Sequence, residues 1–152
     1  MARDLGLSAH AAVPHATSSA GLPVIAGLAF GVIQLASPLA LPSLSATGVQ
    51  ALLLAAIAAV YVGFAVADGR PQVIAVEAVI AVGFVLLAAS SLVGPTWLLV
   101  AGYVGHGLKD LWQERRQSVA NTGWWPPFCA AVDWVVAAGL VVAIVARLDL
   151  HG

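Results

Sequence analysis

The sequence predicts an all-α fold, a polytopic integral membrane helix bundle with five transmembrane helices and a cytoplasmic N-terminus. Of 152 residues, 61% are hydrophobic and 9% are charged, whereas about a quarter of a soluble domain is charged. The mean hydropathy is +0.99, and the apolar runs reach the roughly 20 residues that cross a hydrocarbon core as a helix. A net charge of -1 with six Lys plus Arg excludes nucleic acid as a partner, which leaves the lipid bilayer.

The first predicted span runs from about residue 22 to 41. Residues 1–20, which precede it, have no apolar periodicity, so we expect a mobile polar tail there. Within the span, Gly27 and Gly31 form a GxxxG pattern, through which a partner helix or a second copy of the chain could approach closely. Pro38 could end the helix early, so four spans are the alternative to five.

The second and third spans are predicted at about 48–67 and 73–92. Both are uncharged over most of their length, apart from Glu77 in the second turn of the third span. Asp68-Gly69-Arg70-Pro71 separates them, and Gly followed by Pro is typical of a helix end where no helix can continue. This segment is the clearest predicted turn of the chain.

The fourth and fifth spans are predicted at about 96–112 and 128–145, followed by a tail at 149–152. Between them, Trp124 and Trp125 are typical of the lipid-water boundary, and the two prolines that follow suit the first turn of a helix. No second domain is visible, so we expect one transmembrane domain over residues 21–148.

Positive charge is distributed unequally between the two ends of the predicted spans. Cytoplasmic loops of membrane proteins carry an excess of Lys and Arg. With the N-terminus inside, only Arg147 lies on the outer side, which predicts a C-terminus outside. We take the membrane that this multi-pass protein crosses to be a bacterial inner (plasma) membrane. The cations on the cytoplasmic side are then Arg3, Arg70, Lys109, Arg115 and Arg116.

Five polar residues of the last three spans are predicted to lie in one slab of the membrane near the cytoplasmic face. By the rise of a helix, His106 lies about 6 Å deeper than Asp110, and Asp133 lies one turn deeper than Cys129. Residues four apart share a helix face, so each of these pairs can point toward one pocket. The predicted site therefore consists of Glu77, His106, Asp110, Cys129 and Asp133.

The chemistry of these side chains favours a metal site. A carboxylate in mid-membrane costs roughly 3 kcal/mol on insertion scales and usually marks an ion, proton or substrate site. All five residues are candidate ligands of a divalent metal such as zinc, whose open coordination position would activate water. We therefore expect a metal ion or small polar ligand, and a membrane-embedded hydrolase or isomerase with His106, Asp110 and Asp133 as catalytic residues. Without metal, the same groups form a proton relay, and Cys129 could be a nucleophile.

Each of these residues also has a structural interpretation. His106 and Asp110 could satisfy each other through an i,i+4 hydrogen bond, and Asp133 could pair with Lys109 or Arg116 to hold two helices together. Cys129 could be a small buried hydrophobe. The alternative function is accordingly non-catalytic: a small transporter, or an accessory membrane subunit whose buried acids lock its helices.

The order of these residues also resembles a pattern in small bacterial multi-pass membrane proteins of unknown function. In that pattern a glutamate precedes a helix with HxxxD, here HGLKD at 106–110, and a proline-containing link leads to a final helix opening with Cys and Asp, here FCAAVDWVVA at 128–137. The resemblance covers the C-terminal half and implies no activity. Similarity to the seven-span hydrolases related to alkaline ceramidases is more distant, because their zinc site uses several histidines and this chain has one within a predicted span.

Overall fold

A computed structural model describes residues 21–120 and 122–151 of the chain, and the predicted polar tail at 1–20 lies outside this part. The described residues form five α-helices and one short 3-10 helix, with no β-strand among them. The α-helices are α1 (Gly21–Ala36), α2 (Ala46–Asp68), α3 (Pro71–Ser91), α4 (Trp97–Arg116) and α5 (Trp125–Val145), and the 3-10 helix Ser37–Ala40 extends α1.

Four of these helices are long and apolar enough to cross a membrane: α1 with its 3-10 extension, α2, α3 and α5. The chain is thus a helical protein with several candidate membrane spans, as predicted. The remaining helix, α4, has 20 residues but includes five charged ones between Lys109 and Arg116. By composition, α4 is therefore the helix that differs from the four candidate spans. The sequence instead predicts that the first span is the uncertain one, because of Pro38. At Pro38 the chain continues as a 3-10 helix.

Local signals explain the ends of α2. Its N-cap is Ser45, whose Oγ accepts a hydrogen bond from the Gly48 amide at 3.0 Å, so the helix starts before the predicted position. Its C-terminal end is Gly69, which has φ +80°, a conformation that glycine adopts without steric cost. Pro71 then occupies the first turn of α3, where its missing N–H costs nothing.

The bundle is arranged around α5 and α4. Helix α5 packs against α1 on one side and α4 on the other, α2 packs mainly against α3, and α4 also contacts both α2 and α3. The close approach predicted from Gly27 and Gly31 occurs between α1 and α5: a Cβ on Gly27 would lie 2.8 Å from Ala131 Cβ, and one on Gly31 2.8 Å from Val135 Cβ. Contact with a second chain through these two glycines stays a prediction, and it would require α5 to leave this face of α1.

Hydrogen bonds between the connecting segments define two ends of the bundle. At the first, here called the Arg70 end, Arg70 Nη2 donates to the Ser118 carbonyl at 2.8 Å and the Ala120 amide donates to Asp68 Oδ2 at 2.8 Å. At the other, the His151 end, the Thr47 amide donates to the Leu150 carbonyl at 2.9 Å, and His151 Nε2 lies 3.1 Å from Thr96 Oγ1. The C-terminal segment is thus attached to the bundle.

Candidate metal centre

The centre of the candidate site is a buried group of one histidine and two aspartates. His106 Nδ1 lies 2.8 Å from Asp133 Oδ2 and 3.4 Å from Asp110 Oδ2. One potential ligand atom from each residue lies within 4.8 Å of the other two. The three residues are at most 1% exposed, so they form a compact polar group inside the bundle that could bind a metal ion.

The helix geometry that brings the group together depends on Gly107. His106 and Asp110 are one turn apart on α4, and Asp133 comes from α5. A Cβ on Gly107 would overlap Trp134 Nε1 and would come within 3.4 Å of Asp133 Cβ. The absence of a side chain at Gly107 therefore lets α5 approach α4 closely enough for Asp133 to reach the His106 ring.

Three carboxylate oxygens of this group lack hydrogen bonds of normal geometry. They are Asp133 Oδ1 and both oxygens of Asp110, all buried. The nearest donor to Asp110 Oδ2 on α4 is His106 Nδ1, at 3.4 Å. The Tyr61 hydroxyl is buried beside the Asp110 carboxylate and is also without a well-formed hydrogen bond. Buried polar groups in folded proteins are rarely left unsatisfied, so this cluster has capacity for a further ligand.

Glu77 forms a separate ion pair with Lys109. Their atoms Oε2 and Nζ are 2.8 Å apart, and the side chains are 2% and 9% exposed. Lys109 Nζ also lies 3.0 Å from the centroid of the Tyr61 ring, within the range of a cation–π interaction. The alternative pairing of Asp133 with Lys109 or Arg116 is therefore wrong, because Asp133 bonds to His106 and the lysine is taken by Glu77.

The buried acids of this region outnumber its lysine. Glu77, Asp110 and Asp133 are acids, and Lys109 is the lysine that lies beside them. If all three acids were ionised and the histidine neutral, two negative charges would remain in the interior, and burying charge without compensation is costly. A divalent cation bound by His106, Asp110 and Asp133 would remove this excess.

Cys129 lies close to the aspartates without joining the compact group. It is buried and free, it lies within electrostatic range of Asp110 and Asp133, and it shares with Asp133 the wall of a void of about 40 Å³. Of the five residues predicted for the site, the structure thus places three in one group, pairs Glu77 with Lys109 beside it, and puts Cys129 at an adjoining void.

Aromatic rings enclose the histidine. The centroid of the Phe84 ring lies 4.9 Å and that of the Tyr61 ring 6.1 Å from the centroid of the imidazole. Apolar surroundings of this kind strengthen electrostatic interactions within the group. They also hold the imidazole ring in place.

A second buried polar network lies between the site and the His151 end. Gln34 Nε2 donates to the Tyr103 hydroxyl at 2.9 Å, the hydroxyl donates to the Gln50 carbonyl at 2.8 Å, and Gln50 Nε2 donates to the Gln34 carbonyl at 3.0 Å. These bonds join α1, α2 and α4. Because its members satisfy one another, this network has the features of a structural crosslink.

A cleft of about 240 Å³ approaches the site from the Arg70 end. Glu77 and Ser118 contribute to its wall, together with Gln72, Val73, Val76 and Trp112. The loop after α4 folds beside it: Ser118 Oγ donates to Gln113 Oε1, and Gln113 Nε2 donates to the Val119 carbonyl at 3.3 Å. The polar interior is thus bordered by a cleft at the Arg70 end and by a closed hydrogen-bond network toward the other end.

Three residues next to the site were not predicted to belong to it. Tyr61 and Phe84 lie in apolar runs where an aromatic residue carries no special signal. The sequence did contain an indication of Lys109, because a glutamate inside an apolar span needs a compensating cation and Lys109 lies at a depth similar to that of Glu77. Residue spacing alone could not say which acid the lysine would pair with.

Comparisons with known proteins add no assignment. No protein-family model matches the chain, and no curated protein or solved structure is significantly similar to it. The resemblance to small bacterial multi-pass proteins therefore stays a prediction.

Proposed function

We propose that this chain is a five-span protein of the bacterial inner membrane that binds a divalent metal ion through His106, Asp110 and Asp133. The observation that carries the proposal is a buried group of one histidine and two aspartates whose ligand atoms lie within 4.8 Å of one another, with three carboxylate oxygens that lack well-formed hydrogen bonds. The proposal of a bacterial membrane is supported by the resemblance of the Glu77, HxxxD and CxxxD pattern to small bacterial multi-pass proteins.

The orientation of the side chains of α4 supports this helix as a span in addition to the four candidate spans. Its polar residues His106, Asp110 and Gln113 are buried, whereas apolar residues such as Val104, Leu108 and Trp112 are 41–54% exposed. A helix of this kind offers lipid an apolar face while its charged residues point into the bundle. Its low average hydropathy is thus compatible with a position inside the membrane.

The charges at the two ends support a cytoplasmic Arg70 end. Arg70, Arg115 and Arg116 lie at this end and are exposed, and Arg147 lies at the opposite one. Lys109 is excluded from the comparison because it is buried against Glu77. The remaining excess still favours an N-terminus inside, which places the cleft beside Glu77 on the cytoplasmic side.

Three protein ligands would leave the fourth position of the ion to water or to a further protein ligand, and expansion to five-coordinate would admit water in either case. A divalent ion in such a site activates the water as a nucleophile, which would support hydrolysis or isomerisation of a small polar or lipid substrate. The chain's own contribution is a dry, aromatic-walled site with two donors beside it, the Tyr61 hydroxyl and the Lys109 ammonium.

The test is the metal content of the detergent-purified protein after loading and desalting. Wild type is compared with a His106→Ala, Asp133→Asn double variant and with Glu114→Gln, which removes an acid of α4 outside the group. We expect one equivalent of metal in wild type and in the Glu114 variant and none in a folded double variant. A wild-type protein that retains no divalent metal under any loading condition would overturn the proposal.

A helix-locking accessory subunit is the second candidate. It is favoured by the fact that both pairs join neighbouring helices, since His106–Asp133 links α4 to α5 and Glu77–Lys109 links α3 to α4. It predicts a metal-free wild type and a double variant that is markedly less stable. A transporter has less support, because the Gln34, Gln50 and Tyr103 network fills the interior toward the His151 end.

A further inference from the structure

We propose that Cys129 is the fourth protein ligand of the metal, so that the site selects thiophilic ions such as Zn²⁺, Co²⁺ or Cd²⁺ over Mg²⁺ and Ca²⁺. This inference rests on the proposed metal-binding function and assigns the class of ion. It is carried by the void beside α5 and by the residues that line it.

The void brings a thiol and an unsatisfied carboxylate together. Cys129 and Asp133 are one turn apart on α5 and both line it, as expected for residues on one helix face. Its volume of about 40 Å³ exceeds the roughly 10–15 Å³ that one water molecule needs. The space next to Asp133 is therefore large enough for an ion's remaining ligands.

The other walls of the void offer Asp133 no donor. Asp133 Oδ1 is buried without a hydrogen bond, and the side-chain nitrogen of Gln34, which also lines the void, donates to Tyr103 and Gln50. The rest of the wall is apolar, formed by Phe30, Ile57, Phe128 and Val132. A cation bound between Asp133 and Cys129 would satisfy both the oxygen and the thiolate.

To bind the metal, the Cys129 sulfur must move closer to the other three ligands. The ligand atoms of His106, Asp110 and Asp133 lie within 4.8 Å of one another, and Cys129 is not in that group. Cys129 and Asp133 both line the void, so the proposal requires the Cys129 side chain to turn within this space toward Asp133. The void is thus the space that allows the fourth ligand to join.

The resulting ligand set has a clear preference among metals. One imidazole, one thiolate and two carboxylates give the four-coordinate N/S/O environment that suits zinc. Mg²⁺ and Ca²⁺ favour six or more oxygen ligands and do not favour sulfur. A site made of His106 and two aspartates alone would discriminate far less between the two classes.

Absorption spectroscopy of the Co²⁺-loaded protein tests the assignment directly. Cys129 is the chain's one cysteine, so a thiolate-to-cobalt charge-transfer band in the near ultraviolet can come from no other thiol. We expect wild type to show this band together with visible d–d bands of a four-coordinate ion. Cys129→Ser should keep the d–d bands and lose the charge-transfer band.

The outcomes separate the two proposals. Visible d–d bands without a charge-transfer band in wild type would overturn the role of Cys129 and leave the metal site in place. No cobalt spectrum, together with no other divalent metal in the loaded protein, would overturn both proposals. As a measurement that needs no variant, alkylation of the Cys129 thiol in the folded wild type should be slowed by Zn²⁺ and unaffected by Mg²⁺, and equal rates with both ions would contradict the assignment.

Discussion

Replacing Lys109 by methionine should destabilise the protein strongly, because it leaves the Glu77 carboxylate without a partner. The two groups are 2.8 Å apart, and their side chains are 9% and 2% exposed. Removing one member of a buried ion pair typically costs about 3–5 kcal/mol. We therefore expect a loss of about 3–5 kcal/mol.

The measurement is the unfolding free energy in mixed micelles, obtained by titration with a denaturing detergent. Lys109→Met is compared with Glu77→Gln, with the double variant and with Arg115→Met, which removes an exposed cation from the same helix. The double variant should recover most of the loss, because no lone charge remains inside. A loss below about 1 kcal/mol, the level of an exposed pair, would refute the burial argument.

Three further predictions concern the rest of the bundle. Gly27→Ala should lower the unfolding free energy by about 1–3 kcal/mol, because the new Cβ meets Ala131 and the Phe128 carbonyl. Gly63→Ala is the matched control, because a Cβ at Gly63 has nothing within 4 Å. It should be neutral or slightly stabilising in the same titration. Tyr103→Phe should cost about 1–3 kcal/mol by breaking the bonds to Gln34 and Gln50, with metal content unchanged; lost metal would show that this network belongs to the site. Arg70→Ala should speed amide hydrogen exchange in the loop after α4, since Arg70 Nη2 holds the Ser118 carbonyl, and high salt should have the same effect on wild type; unchanged exchange would mean that other contacts suffice to hold the loop.

Much of the architecture could be predicted because it depends on local signals. The Asp68-Gly69-Arg70-Pro71 segment predicted the turn between α2 and α3 because glycine and proline restrict the backbone there in known ways. Helical rise placed the polar residues of α4 and α5 at one depth, and the structure brings His106, Asp110 and Asp133 together.

What could not be predicted depends on the rotation and the neighbours of each helix. Depth alone did not distinguish Glu77, which faces Lys109, from Asp133, which faces His106. Likewise, Gly27 and Gly31 predicted a close helix contact but could not name α5 of the same chain as the helix in contact. Tyr61 lies next to the site because α2 packs beside α4. This tertiary contact leaves no pattern in the sequence.

The two polar networks of the interior provide an internal comparison that favours a ligand at the site. Both lie within the same bundle and both connect several helices. In the network of Gln34, Gln50 and Tyr103, the side chains bond to one another and to backbone carbonyls, as expected for groups whose role is to hold helices together. The group around His106 differs in kind, because its members are ionisable and oxygens of Asp110 and Asp133 lack well-formed hydrogen bonds. Helix locking alone would be served at lower cost by neutral, mutually satisfied side chains, so the two buried aspartates support the proposal of a bound cation.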